Sequence, residues 1–408
     1  MIALGPLLPL LIAAGILLAG NGLQGTLITL RGAEEGFDAA FIGLMGTAYF
    51  GGFLVSCIIS PRMLHAVGHI RVFAALAAVA SAASLILVLW IEPLAWIALR
   101  FVMGFCFSGL FMAIESWLNE ASANHDRARV LSLYRVVDLA VVTGSQFLIP
   151  LFGVGSFAIF AVAAIMISLS LVPVSLADRS NPKPPEQVAF DLKAIWTISP
   201  LASLGCITIG LTNSAFRTIG PLFARDAGLD TADVAIFMSA GIIGGAVLQY
   251  PLGWMSDRLD RRYVFITATL GAAAAGLFLS RVAGNTQMLL YAGIFMFGAF
   301  SLPLYSLSAA HANDRAEAGQ YVLVAAGLSF FYSIGAAAGP FAVAWVMKIF
   351  GTSAFFTYTS IIHLLLIGLT LWRMQARSRP ERARGLFTSM LRTSPVFMKM
   401  ARSNVKKH

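Results

Sequence analysis

Apolar runs of about 20 residues recur along this chain from one end to the other, and each is long enough to cross the ~30 Å hydrocarbon core of a bilayer as a helix. That feature removes most folds from consideration. Inside lipid, every backbone N–H and C=O must be satisfied within its own segment, so a series of such runs implies a bundle of membrane-spanning helices. The runs fall at residues 7–30, 39–60, 72–91, 94–118, 131–152 and 157–176, and again at 200–224, 232–255, 263–281, 288–311, 319–346 and 353–374. The expectation is an all-α membrane protein with twelve transmembrane helices. Charged residues make up only 12% of the chain, about half the share of a soluble protein. The first run reads as a retained helix: it is too long for a signal-peptide core, no basic segment precedes it, and it has no small-residue cleavage site.

Basic residues set the expected orientation. With the N-terminus inside, the inner loops hold twelve of them, including Arg62, Arg71, Arg179, Arg258, Arg261 and Arg262, against Arg31, Arg225, Arg281 and Lys348 outside. This follows the positive-inside rule and places both termini in the cytoplasm. The net charge of +9 gathers in the tail, where ten Lys/Arg and one acid, Glu381, follow from Arg373 onward. Such a tail is expected to lie against anionic lipid. Nucleic-acid binding is the weaker reading, because no folded domain accompanies the charge. Cys57, Cys106 and Cys206 fall within spans and far apart, as small buried apolar residues do. No His, Cys or carboxylate cluster has metal-ligand spacing, and there is no phosphate-binding loop or nucleophile elbow. Neither a cofactor nor an enzyme is expected. Transport would draw on an ion gradient instead of nucleotide hydrolysis.

The chain also repeats itself. Shifted by 192 residues, "GNGLQGTLITLR" falls on "TNSAFRTIGPLF", matching Asn21 with Asn213, Thr26 with Thr218 and Leu30 with Leu222. Beyond these, Gly36 meets Gly228 and Asp38 meets Asp230, two aspartates that also suit helix N-caps. Further on the register drifts, and Gly104 pairs with Gly298 and Pro150 with Pro340. The expected organisation is a six-helix half at 1–176, a cytoplasmic linker at 177–199, a second six-helix half at 200–374 and a basic tail at 375–408. Pseudo-symmetric halves of this kind build secondary transporters, which bind substrate near the midplane between the repeats.

The loop after the eighth run, "GWMSDRLDRR" (253–262), resembles the signature GxLaDRxGRR of the major facilitator superfamily, with Gly253, Asp257, Arg258, Arg261 and Arg262 in place and Asp260 where the second Gly belongs. The matching first-half loop, "PRMLHAVGHIR", keeps Gly68 and Arg71 but has Pro61 for the first Gly and His65 for the Asp. "RFVMG" (100–104) is similar to the family's fourth-helix pattern. "GAAAGP" (335–340) looks like half of its antiporter signature, although it lies in the eleventh run and the fifth, "TGSQFLIP", lacks that signature. "GNGLQGT", "EGF" and "ESWLNE" resemble the bacterial group that includes YcaD. The resemblance implies a bacterial inner-membrane transporter, working as a monomer by alternating access on a small-molecule substrate, with protons as coupling ion. Export is the preferred direction and uptake the alternative. A membrane sensor that keeps the fold without transporting is a further reading, allowed by the degenerate first loop. The resemblance also makes Gly253, Asp257, Arg258, Arg261 and Arg262 a cytoplasmic gate.

In that family the first, fourth, seventh and tenth helices line a central cavity, and the polar residues of this chain can be set against that expectation. Asn21 and Gln24 are three residues apart on one helix face, and Asn213 and Arg217 are four apart on another. Their alternative is interhelical hydrogen bonding. Arg100 and Arg217 are cations within apolar runs, which must pair, reach water or serve a pathway. If both face inward they favour an anion. Ser301 and Tyr305 are further lining candidates. Glu115 and Asp138 are the candidates for carrying protons, with Arg135 one turn before Asp138 as a residue that would neutralise it.

Overall fold

The computed structural model describes residues 7–376 apart from 123–126, 177–191, 285 and 317–319. The described residues form helices and no strands. The first half contains α1 (Leu8–Glu34), α2 (Ala39–Val67), α3 (His69–Leu89), α4 (Pro93–Ala121), α5 (Arg127–Gln146), α6 (Leu148–Phe152), α7 (Phe157–Leu169) and α8 (Leu171–Leu176). The second contains α9 (Leu192–Ile198), α10 (Pro200–Asp226), α11 (Thr231–Arg258), α12 (Arg261–Val282), α13 (Gln287–Ser301), α14 (Leu304–Asn313), α15 (Tyr321–Phe350) and α16 (Ala354–Ala376). Large apolar side chains such as Leu89, Leu151 and Trp372 stand exposed on the outside of the bundle, the surface that lipid covers.

Three details differ from the sequence reading. The loop expected at 61–71 is mostly helix: α2 runs through Pro61 to Val67, and only Gly68, at φ 85°, separates it from α3. A proline costs one backbone hydrogen bond without ending a helix that its neighbours hold in place. The linker expected at 177–199 ends in α9, and the rest of it lies outside the described residues, as does the basic tail. Among the described residues, eleven stretches are long and apolar enough to cross a membrane. The seventh expected run, α10, reaches that standard only together with α9, which it meets at a 108° bend. Its polarity has a reason: α10 carries Thr208, Thr212, Asn213 and Ser214 but is buried along nearly its whole length, shielded from lipid by its neighbours.

The repeat is visible in the closest backbone approaches. A Cβ on Gly52 would stand 1.9 Å from the Phe101 carbonyl oxygen, and one on Gly104 1.8 Å from that of Tyr49. In the second half, Gly244 meets the Phe295 carbonyl at 2.0 Å and Gly298 that of Gly241 at 1.9 Å. These four contacts are related by the offsets read from the sequence. Only glycine lets α2 lie this close on α4, and α11 on α13.

The halves join through α1 on α10, α2 on α15, and α5 on α11. Many of these contacts gather at the end that carries Asp38 and Asp230. There Thr29 donates to the Thr218 carbonyl at 2.5 Å, and Lys348 reaches Asp38 at 2.8 Å. Gly46 leaves room for Pro340, whose Cβ would be 2.7 Å from an added Cβ. The glycines of "GAAAGP" likewise seat α15 on α10, since Gly335 faces the Ile207 carbonyl and Gly339 that of Leu211. Asp38 and Asp230 are N-caps, each accepting a backbone N–H at 2.8 Å. The bonds from Lys348 and from the Ala40 N–H hold the Asp38 carboxyl below its ordinary range.

Candidate functional site

A cavity of about 130 Å³ lies between the halves, close to the ~150 Å³ that accommodates a benzene ring. The first half contributes Asn21 and Thr26 from α1, Tyr49 and Phe50 from α2, Arg100 and Phe111 from α4, and Arg135, Asp138 and Gln146 from α5. Across from these stand Phe216, Arg217 and Thr218 of α10, Met238 and Ile242 of α11, Leu302 at the break between α13 and α14, and Tyr332 of α15. The lining thus draws on α2, α5, α11 and α15 as well as the helices expected from the sequence.

Neither cavity arginine turns outward to the headgroups. Arg100 is 4% exposed and stacks over the Tyr49 ring, its guanidinium carbon 4.3 Å from the ring centre. The stack is attractive because the ring face is electron-rich. The Tyr49 hydroxyl in turn donates to Asn21 Oδ1 at 2.8 Å, so Asn21 fixes the ring and the ring fixes the cation. Arg217 projects into the cavity and is exposed there. Among the described residues neither Arg100 nor Arg217 has a carboxylate partner. Asp138, 6% exposed, accepts from Arg135, one turn earlier on the same helix, at 2.8 Å. Arg135 also reaches Gln249 of α11 at 3.5 Å, and Gln249 donates to Ser306 at 3.0 Å. A smaller void of about 20 Å³ is bordered by Arg135, Asp138 and Arg217 together. Gln146 is held by Thr26, which donates to its Oε1 at 2.6 Å. The described lining therefore carries three guanidinium groups and one carboxylate.

Several sequence candidates sit elsewhere. Gln24 is buried and donates to Ser84 of α3, although Asn21 on a neighbouring line of the same helix faces the cavity. Asn213 is fully buried and accepts from Ser301 at 2.7 Å, so both residues lie at the contact of α10 with α13. Tyr305 is buried against Ser329 at 3.1 Å and stacks edge-on against Tyr332, which does line the cavity. Glu115 is buried outside the cavity, where it accepts from Tyr134 at 3.2 Å.

The signature loop forms a separate ionic cluster at the opposite end from Asp38. Arg261, 3% exposed, bonds Asp314 at 2.7 Å, Asp257 at 3.4 Å and the Ser256 hydroxyl at 3.1 Å. Arg258 stacks on Trp254 at 4.1 Å. Arg262 pairs with Asp260 at 3.3 Å, so the residue that departs from the signature caps α12 and holds an arginine. Gly253 is buried in the last turns of α11. Sequence reasoning missed Asp314, Tyr49 and Tyr332.

Two pseudo-symmetric helical halves around a polar cavity match the architecture of secondary transporters. The sequence profile of the Major Facilitator Superfamily matches residues 10–249 and 202–404, and the chain belongs to that family. It is similar to the uncharacterized MFS-type transporter YcaD of Salmonella newport (strain SL254), 22% identical over 367 residues that cover 89% of this chain and 95% of the relative. Among solved structures, it resembles the nucleoside transporter NupG, with a TM-score of 0.74 at 13% identity over 91% of this chain and 99% of that one. The human organic anion transporter MFSD10 shares the fold with a TM-score of 0.62 at 14% identity, over 91% of this chain and 100% of that one.

Proposed function

We propose that this protein is a secondary active transporter that moves a small organic anion with an apolar body by alternating access of its two halves. The observation that carries this reading is the pair Arg100 and Arg217. Both guanidinium groups border one cavity, and the only carboxylate among the described lining residues is already held by Arg135. An excess of guanidinium charge at the cavity favours an anionic guest, which planar forks hold by paired hydrogen bonds. Phe216, Met238, Ile242 and Leu302, on the second-half side of the cavity with Arg217, suit an apolar or aromatic body. That a fold relative is described as an organic anion transporter accords with this reading.

Protons are the proposed coupling ion, with Asp138 as carrier in preference to Glu115, which stands outside the cavity. In this reading the chain acts as a monomer in the bacterial inner membrane. Both termini are cytoplasmic, the tail lies on anionic lipid, and the Asp257–Arg261–Asp314 cluster belongs to the cytoplasmic gate. The end sealed by Thr29, Thr218, Asp38 and Lys348 then faces outward, and the cavity is reached from inside. Export is the proposed direction and uptake the alternative.

The test is a flux screen in proteoliposomes with small carboxylates and sulfonates, their neutral amides and matched amines. The expected result is movement of acids alone, lost in Arg100→Ala and Arg217→Ala. Transport confined to amines or neutral compounds would overturn the reading.

A further inference from the structure

At the end of the bundle that carries the signature loop there is a separate small pocket, which shares no lining residue with the cavity. Arg262 of α12, Arg315 just beyond α14 and Arg373 in the last turn of α16 border it, with Pro200, Leu201 and Met374 completing the wall. Arg262 is 7% exposed and reaches Asp260 through bonds of 3.3 and 3.4 Å, long for a charged pair. Arg315 donates to His311 Nε2 at 2.9 Å, so that nitrogen accepts and the ring adds no negative charge. Arg373 has no carboxylate partner among the described residues, and its guanidinium carbon lies 5.9 Å from the Trp372 ring centre. Like charges gathered at the edge of a low-dielectric bundle repel, and an anion placed between them removes that cost.

The surroundings indicate which anion. Ile361, Leu364, Leu365, Gly368, Leu371 and Trp372 are exposed along α16 at the spacing of one helix face. That apolar stripe faces outward and runs up to Arg373, with an amphipathic ring, Trp372, at its end, as at a membrane interface. We propose that the pocket holds the phosphate of an anionic phospholipid, seated between Arg262, Arg315 and Arg373, with an acyl chain lying along the α16 stripe. A phosphodiester presents several acceptor oxygens to the planar guanidinium forks. The lipid selected has no ammonium in its headgroup, because a zwitterionic one would bring a further cation up to the arginines.

The place of the site gives the bound lipid a structural effect. Arg262 follows Arg261 in the chain and Arg315 follows Asp314, and Arg261 and Asp314 are the partners of the ion pair at 2.7 Å. A phosphate shared by Arg262, Arg315 and Arg373 ties the end of α16 to both sides of that pair. This is one discrete site, distinct from the diffuse attraction expected of the basic tail. It is also independent of the anion reading of the cavity, and either can fail without the other.

The test is native mass spectrometry of the purified full-length protein given equal amounts of phosphatidylglycerol and phosphatidylcholine, with excess inorganic phosphate in a separate arm. The expected result is one phosphatidylglycerol retained per chain in preference to phosphatidylcholine, and not displaced by inorganic phosphate. Arg315→Gln with Arg373→Gln should weaken its retention about 30-fold, since each basic residue near a lipid surface is worth ~1 kcal/mol. Arg382→Gln with Arg384→Gln removes the same charge from the tail and should leave the lipid in place. The lipid preference of the wild type and the tail variant carries the test even if the pocket variant fails to fold. Equal retention of the two lipids, or loss of the lipid in the tail variant, would overturn the proposal. Displacement by inorganic phosphate would mark a site for free anions and overturn the lipid assignment.

Discussion

The two halves place the same backbone contacts under different chemistry. Tyr49 and Arg100 in the first half correspond to Gly241 and Ile294 in the second, and Gln24 corresponds to Phe216. Where Arg100 stacks on Tyr49, the second half has the Phe216 ring filling the space over Gly241, 2.7 Å from where a Cβ would stand. The asymmetry reverses at the far end of the bundle. Asp257 and Arg261 correspond to His65 and His69, and His69 is buried against Ser116 at 3.1 Å instead of joining an acidic cluster. Duplication has kept the close helix packing in both copies. The cavity's polar network lies mainly in the first half, and the intact ionic lock lies in the second.

The packing shared by both halves should produce the largest effects. Gly104→Ala and Gly298→Ala each push a methyl into a backbone carbonyl less than 2 Å away. Both should lose about 3 kcal/mol or more of stability and fall together in detergent-solubilised melting temperature. A large loss in one and none in the other would break the equivalence of the halves.

Next come the equivalent positions that differ. Arg100→Ala should weaken anion binding by about 10- to 100-fold, as loss of a charged hydrogen-bonding partner costs ~1.5–3 kcal/mol, with melting temperature nearly unchanged. Ile294→Ala, at the matching and fully buried position, should cost ~2–5 kcal/mol of stability and spare affinity. Titration calorimetry and thermal melts on the two variants separate these outcomes; equal behaviour would contradict the division of roles.

A smaller effect is expected at the lock. Asp257→Asn should leave binding intact and change the rate of exchange between inward and outward states by about fivefold, the value of a partly exposed ion pair worth ~1 kcal/mol. His65→Asn should do nothing to that rate. Unchanged transport in liposomes for Asp257→Asn would remove the gate assignment.

The smallest effects belong to polar residues between helices. Gln24→Ala and Asn213→Ala should each cost about 0.6 kcal/mol without altering affinity, whereas Asn21→Ala frees the Tyr49 ring and should weaken binding. Asp38→Asn keeps the N-cap and loses the bond to Lys348, a surface contact that salt screens. Because Asp38's folded carboxyl lies below its ordinary range, its contribution is present above the unfolded pKa and is lost as pH falls through the folded value. A stability difference between Asp38→Asn and wild type should therefore vanish in strong acid; a difference that grew there would refute the pairing.

The sequence discloses the frame more readily than the site. Span positions follow from the apolar runs, because lipid demands them. The repeat is legible because Gly104, Gly298, Asp38 and Asp230 do the same job twice. Asn21 and Asn213 repeat as well, yet one reaches Tyr49 and the other Ser301, since a shared position on a helix does not specify which neighbour packs there. Gln24 shows the same limit: three residues along a helix turn the side chain by about 60°, enough to exchange the cavity for α3. Tyr49 sits in the run "TAYFGG", where nothing local marks it. Only the close approach of α2 to α4, made by Gly52 and Gly104, brings it under Arg100. Asp314 is separated from Arg261 by 53 residues, beyond the reach of any local pattern.

The central claim is that the cavity selects anions through Arg100 and Arg217. It is tested most directly by thermal shift of the purified protein with three ring compounds of one size: benzenesulfonate, benzenesulfonamide and benzylammonium. The account predicts that benzenesulfonate alone raises the melting temperature of the wild type, and that it no longer does so for the Arg100→Ala, Arg217→Ala double variant. Stabilisation by benzylammonium or by the neutral sulfonamide, with none from benzenesulfonate, would contradict it.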